Sequence, residues 1–466
     1  MGKIKNQKAK IKKAKKASPA SRLRPKKKAK AGIARAKGSK GKPSAGSSKL
    51  TAGPRRVRGK GPKAAKRKAA AKRVVIKLAR KVVRKIAPKK PEAPKAEAIV
   101  KPAVPRPNSG QVEPLVLILN PGSTSTKVAV YRGDRPLCQE SIEHERAELE
   151  KYPRIVDQHP MRRHLVLDFL ARHKVDAKAL GAVVDRGGLL KPISSGTYRI
   201  SQSMLDDLKE AKRGEHISNV GAFIALDIAR AAGCPAFIVD AVSVDEFTPM
   251  ARVSGLAGVE RKSLLHALNM RMAALQACQE LGKKLDQVNL IVAHLGGGIS
   301  ISPVERGKFV DVNNANEHGP FSPERAGHVP CADLVKVCFG GKLSKDDIVK
   351  KLTRSGGLTA YLGTNKAGEA VERARDGDRQ AAEALEAMCY QIAKEIGACA
   401  TVLKGRVDAI VVTGGVAFNK MLTEWIRERT EFISKNFMVY PGEDEMPALA
   451  AGALRVLRGQ EKAREY

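Results

Sequence analysis

Two stretches of the chain, more than 170 residues apart, carry the same punctuation, and a duplication of that kind limits the fold more than any other feature. The first is LVLILNPGSTSTKVAVYRGDR, residues 115–135: an apolar run, a turn rich in glycine and hydroxyls, a β-branched run and a second turn at Gly133. The second, NLIVAHLGGGISISPVERGKFVDVNNA, residues 289–315, repeats that order with its turns at Gly296 and Gly307. In both, the two turn glycines stand 11 residues apart. Short β-branched runs bounded by glycine read as strands joined in hairpins. Two copies at one spacing predict a duplicated β-β-β unit.

The first turn is not a nucleotide loop of the G-x-x-x-x-G-K-[ST] kind. No second glycine precedes Lys127, and Val128-Ala129-Val130-Tyr131 continues as a strand, not a helix. Small or absent side chains in both first turns nevertheless leave backbone N–H groups open to a phosphate. Two such hairpins facing each other would clamp a polyphosphate. A third glycine turn, Gly414-Gly415, follows the apolar run Ala409–Val412 and precedes a predicted helix, where it would hold the nucleoside end.

Charge divides the chain in two. Residues 1–110 hold 39 Lys and Arg against Glu92 and Glu97 and no aromatic residue, so they supply nearly all of the net +40. Such a segment cannot bury enough apolar area to offset ordering entropy and is expected to be disordered. Within it, residues 73–86 have helical apolar spacing among basic residues, and a proline-rich linker follows. Three readings of this arm stand: counterion-release binding to nucleic acid or another polyanion, an extension without function, or a transit peptide. Its lysine content and length suit the last poorly. The remaining body is nearly neutral, and no apolar run approaches the roughly 18 residues of a membrane span. Its seven cysteines are scattered with no C-x-x-C, which points to a reducing, cytosolic compartment.

The ordered set NPGSTSTK, RGGLLKPI, GEHISNVGA, AHLGGGIS, GPFSPERAG, TGGVAFN and VYPGEDEMPALAAGALRVLRG closely resembles the butyrate kinases, in the acetate kinase branch of the sugar kinase and actin superfamily. The resemblance runs from about residue 114 to Tyr466 and covers none of the arm. It implies an α/β fold of two β-β-β-α-β-α domains. The expected division is an arm and linker at 1–112, a first domain at 113–242 completed by a C-terminal helix near 445–466, and a second at 243–444. It also implies ATP and Mg²⁺, a short-chain carboxylate as acceptor, an acyl phosphate as product and a homodimer or larger homo-oligomer.

A carboxylate acceptor is already ionised at pH 7, its pKa being about 4 to 5, so no general base is needed. The obstacle is repulsion between two anions, which calls for positioning and cations. By the resemblance, Arg186, Arg325 and His266 act on the transferred phosphoryl group, and Asp240 holds the metal. Arg186 matches the family's first arginine by region only, about three positions displaced. Asn120, Gly122, Ser123, Ser125 and Lys127 form the first phosphate turn, with His294, Gly296, Gly297, Gly298, Gly414 and Gly415 on the nucleotide side. Acetate kinases carry a glutamate where Phe418 stands, so Glu443 is expected as the second metal ligand. Two rivals remain: an acetate or propionate kinase, and a nucleic-acid-binding protein with a vestigial kinase body.

Overall fold

Both repeats fold as three-stranded meanders. In the computed structural model, which describes residues 113–443 and 445–466, the first comprises β1 (Leu115–Pro121), β2 (Ser125–Arg132) and β3 (Arg135–Glu143), paired antiparallel in sequence order. After it come β4 (Leu180–Asp185), β5 (Thr197–Arg199) and β6 (Ala236–Val239). The second meander is β7 (Asn289–Leu295), β8 (Ile299–Glu305) and β9 (Lys308–Phe309), followed by β10 (Ala409–Gly414) and β11 (Phe437–Pro441). Gly133 and Gly307, the matched second turns, both take left-handed backbone (φ 54° and 84°), which glycine adopts without a Cβ penalty.

The first sheet runs β3-β2-β1-β4-β6-β5, and the second, read from its other edge, β9-β8-β7-β10-β11. Each is thus a meander extended by two parallel strands, and β5 is an additional edge strand antiparallel to β6. This is the duplicated fold that the glycine spacing predicts. The short edge strand β5 was not foreseen.

Alternating side chains send each central strand into two cores. Leu117 and Leu119 of β1 meet helices α1 (His159–Arg172) and α2 (Ser218–Ala232) on one face. Ile291, Ala293 and Leu295 of β7 face helices α4 (Arg379–Val402) and α5 (Lys420–Thr430), while Leu290 and Val292 face α3 (Ala267–Leu281). Val116 and Ile118 point from β1 the opposite way, into a core shared with α6 (Glu445–Leu457) through Met446, Leu449 and Ala453. The last helix therefore packs on the first sheet, although it follows the last strand of the second. Helices on both faces explain why β4, β6 and β10 read as almost unbroken apolar runs.

The expected disordered arm, its helix at 73–86 and the linker lie outside the described residues. Among the described residues no helix is long and apolar enough to cross a membrane. All seven cysteines are free.

Candidate functional site

Most of the expected site residues sit at, or just past, the C-terminal end of a strand: Asn120 on β1, Arg186 after β4, Asp240 after β6, His294 on β7 and Glu443 after β11. That end of an open α/β sheet is where connecting loops leave a crevice. Here Arg186, Asp240, His266, His294, Arg325 and Glu443 line one cavity of about 400 Å³. A second cavity of about 220 Å³, lined by Asn120 and Lys127, shares Glu443 and Glu445 with the first. Asn120 and Glu443, against which Gly296 lies, thus border the smaller cavity.

Two imidazoles form its floor. The rings of His266 and His294 stack with centroids 3.9 Å apart. His266 occupies the N-cap position of α3, and its Nδ1 meets Ser300 Oγ at 3.0 Å. Burial lowers its pKa well below the ordinary value, and the adjacent His294 lowers it further. His294 is buried, with Nδ1 2.6 Å from Asn269 Oδ1, while Asn269 Nδ2 donates to the Gly442 carbonyl. That pairing makes Nδ1 the protonated nitrogen. Its Nε2 lies 3.1 Å from Glu443 Oε1. The close histidine pulls the Glu443 carboxyl down to about 2.

Asp240 is buried at φ 43°, a left-handed conformation uncommon for a residue with a side chain. Its Oδ1 accepts the Gly196 N–H at 2.6 Å, and Arg271 Nε stands 3.5 Å from Oδ2. Burial pushes its pKa up to about 6 against the opposing charges of Arg271 and Arg455. Arg186 reaches Glu445 Oε1 at 3.0 Å, and the other oxygen of Glu445 accepts from Asn120 Nδ2 at 2.6 Å. One carboxylate thus bridges the first turn to an arginine on the same lobe. Beneath Arg186, Asp185 is fully buried; its Oδ2 accepts the Gly187 N–H at 2.8 Å and its Oδ1 has no partner among the described residues. Burial raises that carboxyl to about 7.

Arg325 lies against the triple glycine, where a Cβ on Gly298 would come within 2.5 Å of its Cζ and one on Gly296 within 2.4 Å of Glu443 Oε1. The missing Cβ atoms let both side chains approach the backbone closely. The Arg325 guanidinium forms no hydrogen bond or ion pair among the described residues, and its Nε is buried. A half-buried cation with no partner among the described residues, bordering a cleft, is a ready anion site.

Gly414 exchanges backbone hydrogen bonds with Gly442, and Gly415 donates to Glu443, so this turn braces the segment carrying the acids. Ser123 is exposed at the tip of the first turn, Gly122 and Ser125 close its base, and Lys127 is an exposed strand residue at the smaller cavity. Among the described residues no three His, Cys, Asp or Glu side chains converge to hold a metal ion. Asp240, Glu443 and Glu445 nevertheless line one cavity, and such hard oxygen donors fit a magnesium ion that keeps water and phosphate ligands. Sequence reading missed Asn269, Asp185 and Glu445. Only Glu445 left a signal, since it lies in the acidic stretch from which Glu443 was chosen.

Residues 257–433 match the family model described as the Acetokinase family. The fold is shared with an acetate kinase from Porphyromonas gingivalis at 21% identity, TM-score 0.62, covering 74% of this chain and 100% of that one. A propionate kinase from Francisella tularensis subsp. tularensis SCHU S4 superposes with TM-score 0.57 at 18% identity, covering 72% and 98%. An acetate kinase from Entamoeba histolytica does so with TM-score 0.58 at 18% identity, over the same shares.

Proposed function

We propose that the chain is an ATP-dependent kinase of short-chain carboxylic acids, with butyrate and neighbouring branched acids as its substrates. The observation that carries this reading is Arg325: a half-buried guanidinium with no ion pair among the described residues, laid on a glycine hairpin near a neutral histidine. The family match and the names of the structural relatives support carboxylate phosphorylation. The apolar wall of the larger cavity, Leu189, Val242 and Leu264, favours an acid with an alkyl tail over acetate.

In this reading the acid's carboxylate oxygen bonds to the γ-phosphorus in line as the bond from phosphorus to the ADP oxygen breaks. No proton moves. Arg186 and Arg325 meet the charge on the transferred oxygens, and His266 adds a neutral donor. Arg186 must first exchange Glu445 for substrate oxygens. Asp240, with Glu443 beyond it, would hold magnesium, which supplies charge neutralisation to the phosphates. The basic arm takes no part in transfer and serves as a polyanion tether, and the enzyme works in the cytosol as a homo-oligomer.

A hydroxamate assay with ATP, Mg²⁺ and acids of two to six carbons tests the reading. Acyl hydroxamate should form best with four-carbon acids. A maximum at acetate or propionate would reassign the acid, and no product with any acid would leave a vestigial site.

A further inference from the structure

The largest buried charge outside the cavity is Arg162 of α1, with none of its surface exposed. It has no carboxylate partner among the described residues. Instead its Nη1 donates to the carbonyls of Gly122 (3.1 Å) and Ser125 (3.0 Å) and to Thr126 Oγ1 (2.8 Å). Its Nη2 reaches the Ser123 carbonyl at 3.4 Å, and Nε donates to Gln158 Oε1 at 3.1 Å. The guanidinium is therefore spread behind the first glycine turn, holding three of its carbonyls.

The consequence follows from the trans peptide. A carbonyl and the N–H of the next residue point in opposite directions. With the Gly122 and Ser123 carbonyls drawn onto Arg162, the Ser123 and Thr124 N–H groups are turned the other way, at the exposed tip of the turn. In the second hairpin the same task falls to a neutral group, since the Gly297 carbonyl accepts from Ser322 Oγ at 2.6 Å. In the first turn the group that holds the carbonyls carries a full charge. A buried cation without a counter-ion is costly unless an anion sits nearby. His144, which shares Thr126 Oγ1, is pushed down to about 4 by burial and by Arg162, so it adds no second charge at neutral pH.

We infer that Arg162 is a positioning residue for anion binding: it presents the Ser123 and Thr124 amides to a phosphate group of a polyphosphate and supplies the positive charge behind them. This rests on the proposed kinase reading, in which that turn grips the nucleotide's phosphates.

The test uses full-length chain with Arg162→Met, which keeps bulk without charge, and Arg162→Lys, which keeps charge but reaches fewer acceptors. Calorimetry gives the Kd for inorganic tripolyphosphate with Mg²⁺, and kinetics give separate KM values for ATP and the acid. In Arg162→Met, Kd for tripolyphosphate and KM for ATP should rise about tenfold or more, as for loss of one charged hydrogen-bonding group. The KM for the acid should stay unchanged, and Arg162→Lys should recover part of the loss. Unchanged tripolyphosphate binding, or an equal rise in both KM values, would overturn the inference. Should Arg162→Met not fold, Arg162→Lys decides alone: a rise confined to ATP and tripolyphosphate supports the role, and no selective rise removes it. The two ideas fail separately. A chain that makes hydroxamate with indifferent Arg162 variants refutes only this role. One that makes none, yet loses tripolyphosphate binding in Arg162→Met, refutes only the kinase.

Discussion

His266 and His294 lie face to face, 3.9 Å between centroids and 15° between planes, and Glu443 Oε1 lies 3.1 Å from His294 Nε2. Burial and that neighbouring ring keep His266 neutral, while Glu443 stands beside His294. The same contact makes Glu443 a pH-dependent stabiliser. Its folded pKa of about 2 lies below the usual carboxylate value, so its contribution is complete above about 4.5 and is lost as pH falls towards 2. Glu443→Gln should therefore melt below the unsubstituted chain at pH 6, with the gap closing in that acid window. Thermal melts across pH 3–7 check it; a gap independent of pH would show that charge is not the cause.

Arg325→Ala should lower kcat about a hundredfold to a thousandfold, the usual cost of removing one donor to developing charge. Stability should hold, because the guanidinium has no partner to leave behind. Arg325→Lys should restore little, since a point charge lacks the planar fork. Steady-state ADP formation alongside a melting curve separates the two effects.

Asp240 should make the magnesium requirement pH-dependent. Its carboxyl, held up to about 6 by burial, takes a proton below that pH and then cannot serve a cation. The magnesium concentration for half-maximal rate should climb as pH drops below about 6. In Asp240→Asn it should be high and flat. A wild-type requirement constant between pH 5 and 8 would remove Asp240 from the metal site.

Asp185 should work against stability at neutral pH. An unfolded chain releases this proton near 4, but the folded one holds it to about 7, so the folding penalty grows as pH rises through that interval. Asp185→Asn should raise the melting temperature at pH 8 and leave it unchanged at pH 4. Melts at the two pH values suffice.

Deleting residues 1–110 removes 39 basic side chains and should leave kcat intact. The full chain should bind duplex DNA with affinity that falls steeply between 50 and 200 mM salt, as counterion release requires, and the shortened chain should not bind. Filter binding at several salt concentrations, beside the hydroxamate assay, measures both.

The fold was legible because its signals are local. Gly122, Gly133, Gly296 and Gly307 mark the turns, Gly133 and Gly307 with left-handed backbone that favours glycine, and the apolar runs between them alternate with the sheet faces. The residues around the larger cavity were legible as a group through motifs at strand ends. What could not be read was convergence in space. Choosing Glu443 over Glu445 depends on which carboxylate reaches Asn120 and Arg186 from the start of α6. Arg162 sits 36 to 40 residues from the atoms it holds, in a helix with no motif of its own. Asn269 looks like any helical polar residue until His294 is placed beside it.

The docking of α6 on β1, β4 and β6 governs the order of events during synthesis. One face of the earliest-made sheet is completed by residues 445–457, beside Leu268 and Met272 of α3. The core of the first lobe therefore includes residues made after the whole second sheet, and a chain lacking them leaves Val116 and Ile118 partly bared. Closing that lobe last makes the far end of the chain a checkpoint for the whole body.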